Sequence, residues 1–328
     1  MKLDAPEQLL AHLVPDPTAV PPSLAAADVA SALQELRRRG HSIATADPQA
    51  SAAPTGHHTP AERLKLHCAS EHFAPQRFAR ARRKRLGGPL QVWEECDSTN
   101  ALATEAAADG APHGALWVAE RQRRGRGRQG RQWHCPPHCG LLFSVLLRPS
   151  PGVERLQLLP LVVALGICEG LRHASGCDVR IAWPNDLVVG ARKLGGVLVE
   201  ARLAEPAHVV VGCGLNVRVE AEALAPSDAA RATSLHRQTA TLPPREDLLA
   251  GVLEGLETRY AAWCDGEYRG LFEAWPRYDA LRERSVRVQS SDGSHRGTAC
   301  GIGPDGSLEL RLEDGSRRRF TAAEVHLA

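Results

Sequence analysis

The sequence lacks several features that mark common protein classes. Its start, MKLDAPEQLLAHL, carries acidic residues early and no apolar run, so no secretory signal is visible. The apolar stretch from Leu156 to Cys168 is too short to span a bilayer. Lys and Arg (40) nearly balance Asp and Glu (38), which argues against a protein that coats a polyanion. These absences predict a cytoplasmic protein with no membrane association.

Cysteine is present without the pattern of a disulfide framework. The nine cysteines are odd in number and scattered, which favours reduced thiols. Hydrophobic (43%) and charged (24%) residues are at ordinary globular values, and no internal repeat is present. A length of 328 residues predicts two domains, or three if one is small.

The first 85 residues differ in composition and in hydrophobic periodicity from the rest. Apolar spacing predicts one helix near the N-terminus, a second over Ser23–Arg39 and a third over Pro60–Arg85. The segment between the last two, Ala44–Thr59, has the composition of a linker. The third helix ends in the basic run RARRKR, which could attract a polyanion but is more typical of a solvated helix end. We therefore predict a helical N-terminal module over residues 1–85.

From residue 86 onward, short apolar strands are interrupted by helices at uneven spacing. Seven strand-like segments lie between Leu90 and Val217, and helices are expected over Asn100–Ala108, Leu156–Ser175, Arg245–Cys264 and Tyr268–Arg277. Without a repeating strand–helix unit, this order favours an α+β fold with a mixed, largely antiparallel sheet. We assign residues 86–282 to this central domain.

The tail, residues 283–328, is a separate small domain by its pattern. Three Asp-Gly turns, at Asp292, Asp305 and Asp314, separate short alternating segments such as SLELRLE. The pattern predicts a five-stranded meander closed into a small β-barrel.

The strongest chemical signal is the Arg–Gly segment, RQRRGRGRQGRQW, residues 121–133. Glycine lets the backbone approach a ligand closely, and each guanidinium offers paired donors to phosphate or carboxylate oxygens. A disordered nucleic-acid-binding segment has a similar composition. Because apolar strands flank this run on both sides, we favour a loop that binds a small anion.

Three further polar groups stand at strand ends. One residue of Asp97-Ser98-Thr99-Asn100 is expected to cap a helix, and the others can face a polar neutral ligand. Asn185-Asp186, followed by Lys193 and Gly196, fits either a β-turn or the neighbourhood of a magnesium–nucleotide complex. Asn216 ends a strand that is rich in glycine. The segment HCPPHC, residues 134–139, suggests zinc, but four ligands within six residues cannot easily surround one ion, so a structural role is favoured.

These motifs together resemble those of bacterial biotin–protein ligases, in the family's order and at about its spacing, over residues 90–328. The resemblance implies a class II synthetase-like catalytic domain, an SH3-like C-terminal barrel and two substrates, biotin and ATP with magnesium. It implies a two-step reaction in which biotinyl-5′-AMP forms and biotin then passes to a lysine of a biotin carboxyl carrier domain. Electrostatic stabilisation of a carboxylate beside a triphosphate would be the loop's main task.

The resemblance also implies residue roles. The catalytic group would be Lys193, Arg126, Arg128 and Asp186. Biotin would contact Ser98, Thr99, Asn100, Gln122, Arg126, Gly127, Arg128, Lys193 and Gly196. ATP would contact Arg126, Arg128, Arg131, Asn185, Asp186 and Asn216, with magnesium held through ATP and by Asp186. Trp133 is expected to pack the end of the loop. No general base for the acceptor lysine is evident, and Asp186 is the one candidate.

Two alternatives stay open at this point. The first is a biotin-responsive DNA-binding repressor, because some family members carry an N-terminal winged helix. Here the stretch Val29–Gly40 only faintly matches its second helix, so specific DNA binding is not expected. The second is a lipoate or octanoate ligase of the same fold, which the biotin-type Arg–Gly segment disfavours. A homodimer is compatible with the family.

Overall fold

The computed structural model describes residues 72–149, 155–202, 207–220, 223–224 and 230–327. The chain divides into two units, Met1–His72 and Phe73–Ala328, and every element below belongs to the second. The helices predicted before Gly40 and the linker Ala44–Thr59 lie outside the described residues.

The second unit contains a seven-stranded sheet, a five-stranded sheet and five α-helices among its described residues. The elements around the larger sheet are α1 (Pro75–Ala81), β1 (Leu90–Cys96), α2 (Thr99–Ala108), β2 (Leu116–Gln122), β3 (Gly140–Leu147), α3 (Leu159–Ser175), β4 (Val179–Ala182), β5 (Asp186–Val189), β6 (Arg192–Arg202), β7 (His208–Asn216), α4 (Arg245–Cys264) and α5 (Arg269–Tyr278). The smaller sheet consists of β8 (Ser285–Ser290), β9 (Gly293–Ile302), β10 (Leu308–Leu312), β11 (Arg317–Phe320) and β12 (Glu324–Leu327).

The larger sheet has the strand order β1-β2-β3-β7-β6-β5-β4. Strands β1 and β2 are parallel, and the other neighbouring pairs are antiparallel. The predicted α+β fold with a mixed, largely antiparallel sheet is therefore confirmed. Strand β3 lies between β2 and β7, and all eight of its residues are buried, which explains its nearly uninterrupted apolar sequence, GLLFSVLL.

Helices α3 and α4 pack together at backbone contact over the main core. Glycine makes this approach possible, since a Cβ on Gly170 would lie 2.2 Å from the carbonyl oxygen of Gly251, and one on Gly255 would lie 2.2 Å from that of Gly166. The segment Leu156–Ser175 is long and apolar enough to cross a bilayer, but 72% of its apolar 18-residue window is buried inside the fold. Its apolar character is thus that of a core helix.

Helix α2 covers the other face of the sheet. Its buried residues Ala103 and Ala107 pack with Trp117 and Leu146, which alternate along their strands with residues of the main core. The guanidinium of Arg148 donates to the carbonyl oxygens of Ala107 and Ala111 at the end of this helix. These contacts fix α2, and with it the polar residues at its N-terminus.

The described part of the predicted third helix is shorter than the sequence suggested. Helix α1 covers only Pro75–Ala81: residues 72–74, inside the predicted helix, are not helical, and Arg82 is already extended. Leu86 is buried after this point and Gly87 turns with a φ of +100°, so burial of an apolar side chain ends the helix. Phe73 and Phe78 belong to the main core. The domain boundaries predicted at residues 85 and 282 stay predictions.

Strands β8 to β11 form an antiparallel meander as predicted, but β12 crosses to pair with β8, so the order is β11-β10-β9-β8-β12. Glycines of two Asp-Gly turns, Gly306 and Gly315, have φ values of +82° and +83°, which glycine tolerates best. Among the described strands, β11 and β12 stay at opposite edges, so the sheet is open and does not close into a barrel. The indole Nε1 of Trp183 donates to the carbonyl oxygen of Gly306, which joins the two sheets.

Candidate functional site

One cavity of about 560 Å³ lies at the ends of β2, β5, β6 and β7, below the Arg–Gly segment and beside β12. The structure brings together along its wall every residue to which the sequence analysis assigned a ligand contact: Ser98, Thr99, Asn100, Gln122, Arg126, Gly127, Arg128, Arg131, Asn185, Asp186, Lys193, Gly196 and Asn216. Their common position supports a single binding site, while their individual roles stay predictions.

Strand register explains why residues so far apart in the chain meet here. Gly196 of β6 stands between Asp186 of β5 and Gly214 of β7, and Gly140 of β3 is opposite Asn216. The turn that connects β1 to α2 and the last residue of β2 complete the same end of the sheet. Side chains at strand ends can contact a ligand without interrupting the hydrogen bonds between the strands.

The Arg–Gly segment is an ordered loop. The amide of Gly127 donates to the carbonyl oxygen of Arg131 at 2.7 Å, and the amide of Trp133 donates to that of Gly125 at 2.9 Å. A Cβ on Gly125 would lie 2.4 Å from the carbonyl oxygen of Trp133, so this position needs glycine. These cross-loop contacts favour the small-anion loop over a disordered nucleic-acid segment.

Five of the six arginines of the loop divide into two groups, and the sixth, Arg124, is exposed and does not line the cavity. Arg126, Arg128 and Arg131 line the cavity. Arg121 and Arg123 instead form ion pairs with Glu95 at the edge of the sheet, and Arg123 also pairs with Asp97. About half of the local positive charge therefore serves the surface rather than the cavity.

The first wall of the cavity is neutral and polar. The amide of Thr99 donates to Gln122 Oε1 at 2.7 Å, so the carboxamide nitrogen of Gln122 is the atom left to meet a ligand. Ser98 occupies the N-cap position of α2 and is buried, yet its side chain makes no capping hydrogen bond. The expectation that one of the four residues 97–100 is the N-cap is therefore met at Ser98, which caps by position only and also lines the cavity.

A second wall of the cavity is cationic. Lys193 Nζ lies 2.8 Å from Asp186 Oδ1, and Arg128 Nη1 donates to Asn185 Oδ1 at 3.2 Å. Burial lowers the pKa of Arg128 below its usual value, while the charge of Asp186 acts in the other direction. Among the described lining residues, five are cations and two are acids: Arg126, Arg128, Arg131, Lys193 and Arg231 against Asp186 and Glu324. Such a wall suits an anionic ligand.

Two buried polar atoms at this wall have no hydrogen-bond partner. Asn216 donates through Nδ2 to the carbonyl oxygen of Thr233, but its Oδ1 is unpaired, as is Nε1 of Trp133. Trp133 closes the end of the loop, as predicted, and its ring also lines the cavity beside Gly214. One acceptor and one donor are therefore available to a ligand on this side.

Sequence reasoning missed four residues at or beside the cavity. Ser144 and Glu200 hydrogen-bond to its polar wall, Arg231 adds a cation, and Glu324 reaches the loop from the C-terminal sheet as the ion-pair partner of Arg131. Arg231 and Glu324 do not belong to any short sequence motif that would have marked them as site residues. Ser144 stands out as a hydroxyl within an apolar strand, but its partners depend on register.

The side chains of the HCPPHC segment do not point to a common site. His134 lines the cavity, whereas His138 is buried against Glu120, with its Nδ1 3.4 Å from Glu120 Oε2. All eight described cysteines are free thiols.

Comparisons with known proteins agree with this geometry. Residues 93–216 match the model of the biotin/lipoate A/B protein ligase family, and residues 283–327 match that of the biotin protein ligase C-terminal domain. The Escherichia coli bifunctional ligase/repressor BirA is 30% identical over 74% of each chain. The Paracoccus denitrificans biotin–[acetyl-CoA-carboxylase] ligase is 31% identical over 70% of this chain and 96% of its own length.

A solved structure shares the fold. The biotin protein ligase from Aquifex aeolicus in complex with biotin and ATP has a TM-score of 0.65 and 27% identity, and the match covers 74% of this chain and all of that one. Fold, site and sequence define a protein-modifying ligase. The chain belongs to the biotin–protein ligase family.

Proposed function

We propose that this protein is an ATP-dependent biotin–protein ligase that forms biotinyl-5′-AMP and transfers the biotinyl group to a lysine of a biotin carboxyl carrier domain. One observation carries the proposal: a single cavity is lined both by neutral polar residues, with Thr99 and Gln122, and by a cationic group, with Arg128 and Lys193. Biotin has a neutral ureido ring at one end and a carboxylate at the other, so it matches this division.

The polar wall suits the ureido ring. That ring has two N–H donors and one carbonyl acceptor. Gln122 keeps its carboxamide nitrogen as a donor because its oxygen is occupied by the amide of Thr99. The hydroxyls of Ser98 and Thr99 lie beside it and supply acceptors. Gly196 leaves the floor of the cavity without a side chain, where the bicyclic ring can lie against the backbone.

The cationic wall suits the first chemical step. The carboxylate oxygen of biotin attacks the α-phosphorus of ATP, a P–O bond forms, and the bond to pyrophosphate breaks. Both reactants are anions, so fixed positive charge must offset their repulsion. Lys193, Arg126 and Arg128 line the cavity and supply this charge, and the cavity would hold the reactants in one geometry.

The remaining polar residues suit the nucleotide. Asn216 has a buried, unpaired Oδ1, and Asn185 is held by its Nδ2 hydrogen bond to the carbonyl oxygen of Val197. The Asp186 carboxylate fits a magnesium ion, because Oδ1 is paired with Lys193 and Oδ2 is left for a cation. Magnesium would supply further charge neutralisation at the phosphates. Arg131 stands at the edge of the same wall.

The second step transfers biotin to an acceptor lysine. Its amine attacks the carbonyl carbon of the mixed anhydride, a C–N bond forms, and AMP leaves with the anhydride oxygen. The amine must lose a proton, and its unperturbed pKa is near 10.4. Asp186 is the proposed acceptor of that proton. The protein partner is proposed to be a biotin-carrying protein, and the cytoplasmic location stays a prediction.

The decisive experiment is mass detection of biotinyl-5′-AMP after incubation with biotin, ATP and magnesium, followed by transfer to a carrier domain. Formation of the adenylate with biotin, and none with lipoate or octanoate, is expected. Adenylate formation with lipoate alone would establish the alternative ligase. Specific operator binding without pyrophosphate exchange would establish the repressor.

A further inference from the structure

Glu200 on β6 lies at the end of a chain of hydrogen bonds that runs behind the polar wall. Asn100 Nδ2 lies 2.7 Å from Glu200 Oε2, and Asn100 Oδ1 lies 2.5 Å from Ser144 Oγ. Ser144 Oγ lies 2.7 Å from Thr99 Oγ1, which is 3.1 Å from Gln122 Oε1. Asn100, Thr99 and Ser144 are all nearly inaccessible to solvent, so water does not satisfy these groups.

The direction of the protons in this chain is determined by its two ends. Glu200, as a carboxylate, can only accept, so Asn100 donates to it and turns its Oδ1 toward Ser144. Ser144 must then give its single proton to Asn100, and Thr99 must give its proton to Ser144. Gln122 Oε1 still accepts a proton from the amide of Thr99, while its 3.1 Å contact with Thr99 Oγ1 then carries no proton.

The other arrangement leaves one of the two shorter contacts, at 2.5 or 2.7 Å, without a proton. If the Thr99 hydroxyl donated to Gln122, Ser144 would have one proton for two acceptors, Thr99 Oγ1 and Asn100 Oδ1. A buried contact between two oxygens without a proton is unfavourable. Two hydroxyl protons serve three oxygen–oxygen contacts, so the favoured direction is the one that leaves the longest contact, Thr99–Gln122 at 3.1 Å, without a proton, rather than one of those at 2.5 and 2.7 Å. This direction leaves the lone pairs of Thr99 Oγ1 facing the cavity as acceptors.

The backbone restricts Asn100 further. A Cβ on Gly212 would lie 2.0 Å from Asn100 Oδ1, so the carboxamide lies flat against β7. The ion pair of Glu200 with Arg126, at 3.3 Å, is half-exposed and adds little by itself. Glu200 therefore acts on the polar wall mainly through its hydrogen bond with Asn100.

We infer that Glu200 is a positioning residue that, through Asn100 and Ser144, fixes Thr99 as a hydrogen-bond acceptor for the ureido N–H of biotin. The inference rests on the function proposed above. Glu200→Gln tests it sharply, because glutamine can donate or accept and so permits the chain to run in either direction.

The experiment is a double-mutant cycle with Glu200→Gln and Ser144→Ala, in which the dissociation constant of biotin is measured by calorimetry. Ser144→Ala interrupts the chain but leaves the Glu200–Arg126 ion pair intact. Each single variant is expected to weaken biotin binding about tenfold, and the double variant also about tenfold, since both changes disable the same chain. Additive weakening, about 100-fold, would overturn the inference.

Two controls separate this role from general damage. Glu95→Gln makes the same charge change outside the cavity and should leave biotin binding unchanged. In pyrophosphate exchange, the Glu200 and Ser144 variants should raise the KM for biotin and leave the KM for ATP within about twofold. An equal rise in both KM values would indicate a merely structural role.

Two further results keep the test decisive. If Ser144→Ala or the double variant is unfolded, Glu200→Asp is compared with Glu200→Gln instead. Aspartate can only accept a hydrogen bond, so Glu200→Asp should weaken biotin binding less than Glu200→Gln. A larger loss of affinity in Glu200→Asp would contradict the inference. Wild-type protein that binds biotin but forms no adenylate would overturn the proposed function and not the role of Glu200.

Discussion

Glu120 and Arg245 form an almost completely buried ion pair, with Arg245 Nη1 2.6 Å from Glu120 Oε2. Glu120 precedes the Arg–Gly loop on β2, and Arg245 also donates to the carbonyl oxygen of Gly140, where β3 begins after the loop. A single guanidinium at the start of α4 therefore holds both ends of the loop. The shape of the cavity depends on this pair, which lies outside it.

Arg245→Ala should destabilise the protein by about 3–5 kcal/mol, because it leaves the Glu120 carboxylate buried without its partner. Chemical denaturation followed by fluorescence measures the change. Arg269→Ala removes an exposed ion pair with Glu273 and serves as the control, with an expected change within about 0.5 kcal/mol. Equal effects of the two substitutions would contradict this account.

The free energy of unfolding should also decrease as the pH is lowered, because Glu120 becomes protonated. Burial alone would raise the pKa of this carboxyl, but hydrogen bonds from His138 and Arg245 outweigh burial and lower the pKa from 4.5 to about 2. The ionised group therefore stabilises the fold above pH 4.5, and this contribution is lost as the pH falls toward 2. The stability difference between wild type and Glu120→Gln should shrink across that window. A difference that is constant with pH would exclude the linkage.

Lys193→Gln should lower kcat for adenylate formation by about 10²–10³-fold, because the fixed cation opposite the reacting anions is lost. The fold should be retained, since this side chain is partly exposed at the cavity wall. Lys84→Gln is the matched control, because Lys84 contacts Thr258 at the surface and is outside the cavity. A Lys193 variant with unchanged kcat would show that the cation does not act in the first step.

Gly196→Ala should weaken biotin binding at least about tenfold without unfolding the protein. A Cβ here would lie 3.5 Å from Asp186 Oδ1 and 3.7 Å from Lys193 Cε, which are ordinary contacts, and it would project into the cavity. Calorimetric titration with biotin and a thermal melt measure the two effects. Unchanged affinity would place the bicyclic ring elsewhere.

Glu324→Gln should increase trypsin cleavage within the Arg–Gly loop several-fold, because the loop loses its ion pair at Arg131. Global stability should change by less than about 1 kcal/mol, since the pair is partly exposed. Glu309→Gln, which removes a similar pair with Arg319 in the same sheet, is the control. Equal cleavage in both variants would show that Glu324 does not order the loop.

Much of the site could be predicted from sequence because its residues occur in local motifs. The loop 125–133 and the groups around Thr99, Asp186 and Lys193 are each contiguous or nearly so, and every predicted contact residue lines one cavity. Ser144 and Glu200 were missed because their partners depend on the pairing of β3, β6 and β7, which no short motif encodes.

The fold was predicted to a similar extent. Alternating and helical periodicities located the seven strands and the described helices after residue 89. The end of α1 was placed too late, because the burial of Leu86 that ends the helix is a tertiary effect. Closure of the C-terminal barrel was also overestimated, since three Asp-Gly turns specify hairpins and say nothing about the pairing of β11 with β12.

The glycine contact between α3 and α4 limits where the molecule can adapt. Helices that meet through backbone atoms at Gly166, Gly170, Gly251 and Gly255 have no flexible side chains between them to repack. If one helix slid or rolled on the other, carbonyl oxygens would collide. The α3–α4 pair that packs against the large sheet is therefore rigid. Accommodation of substrates of different size, and of the product between two chemical steps, is thereby left to the loop above the cavity.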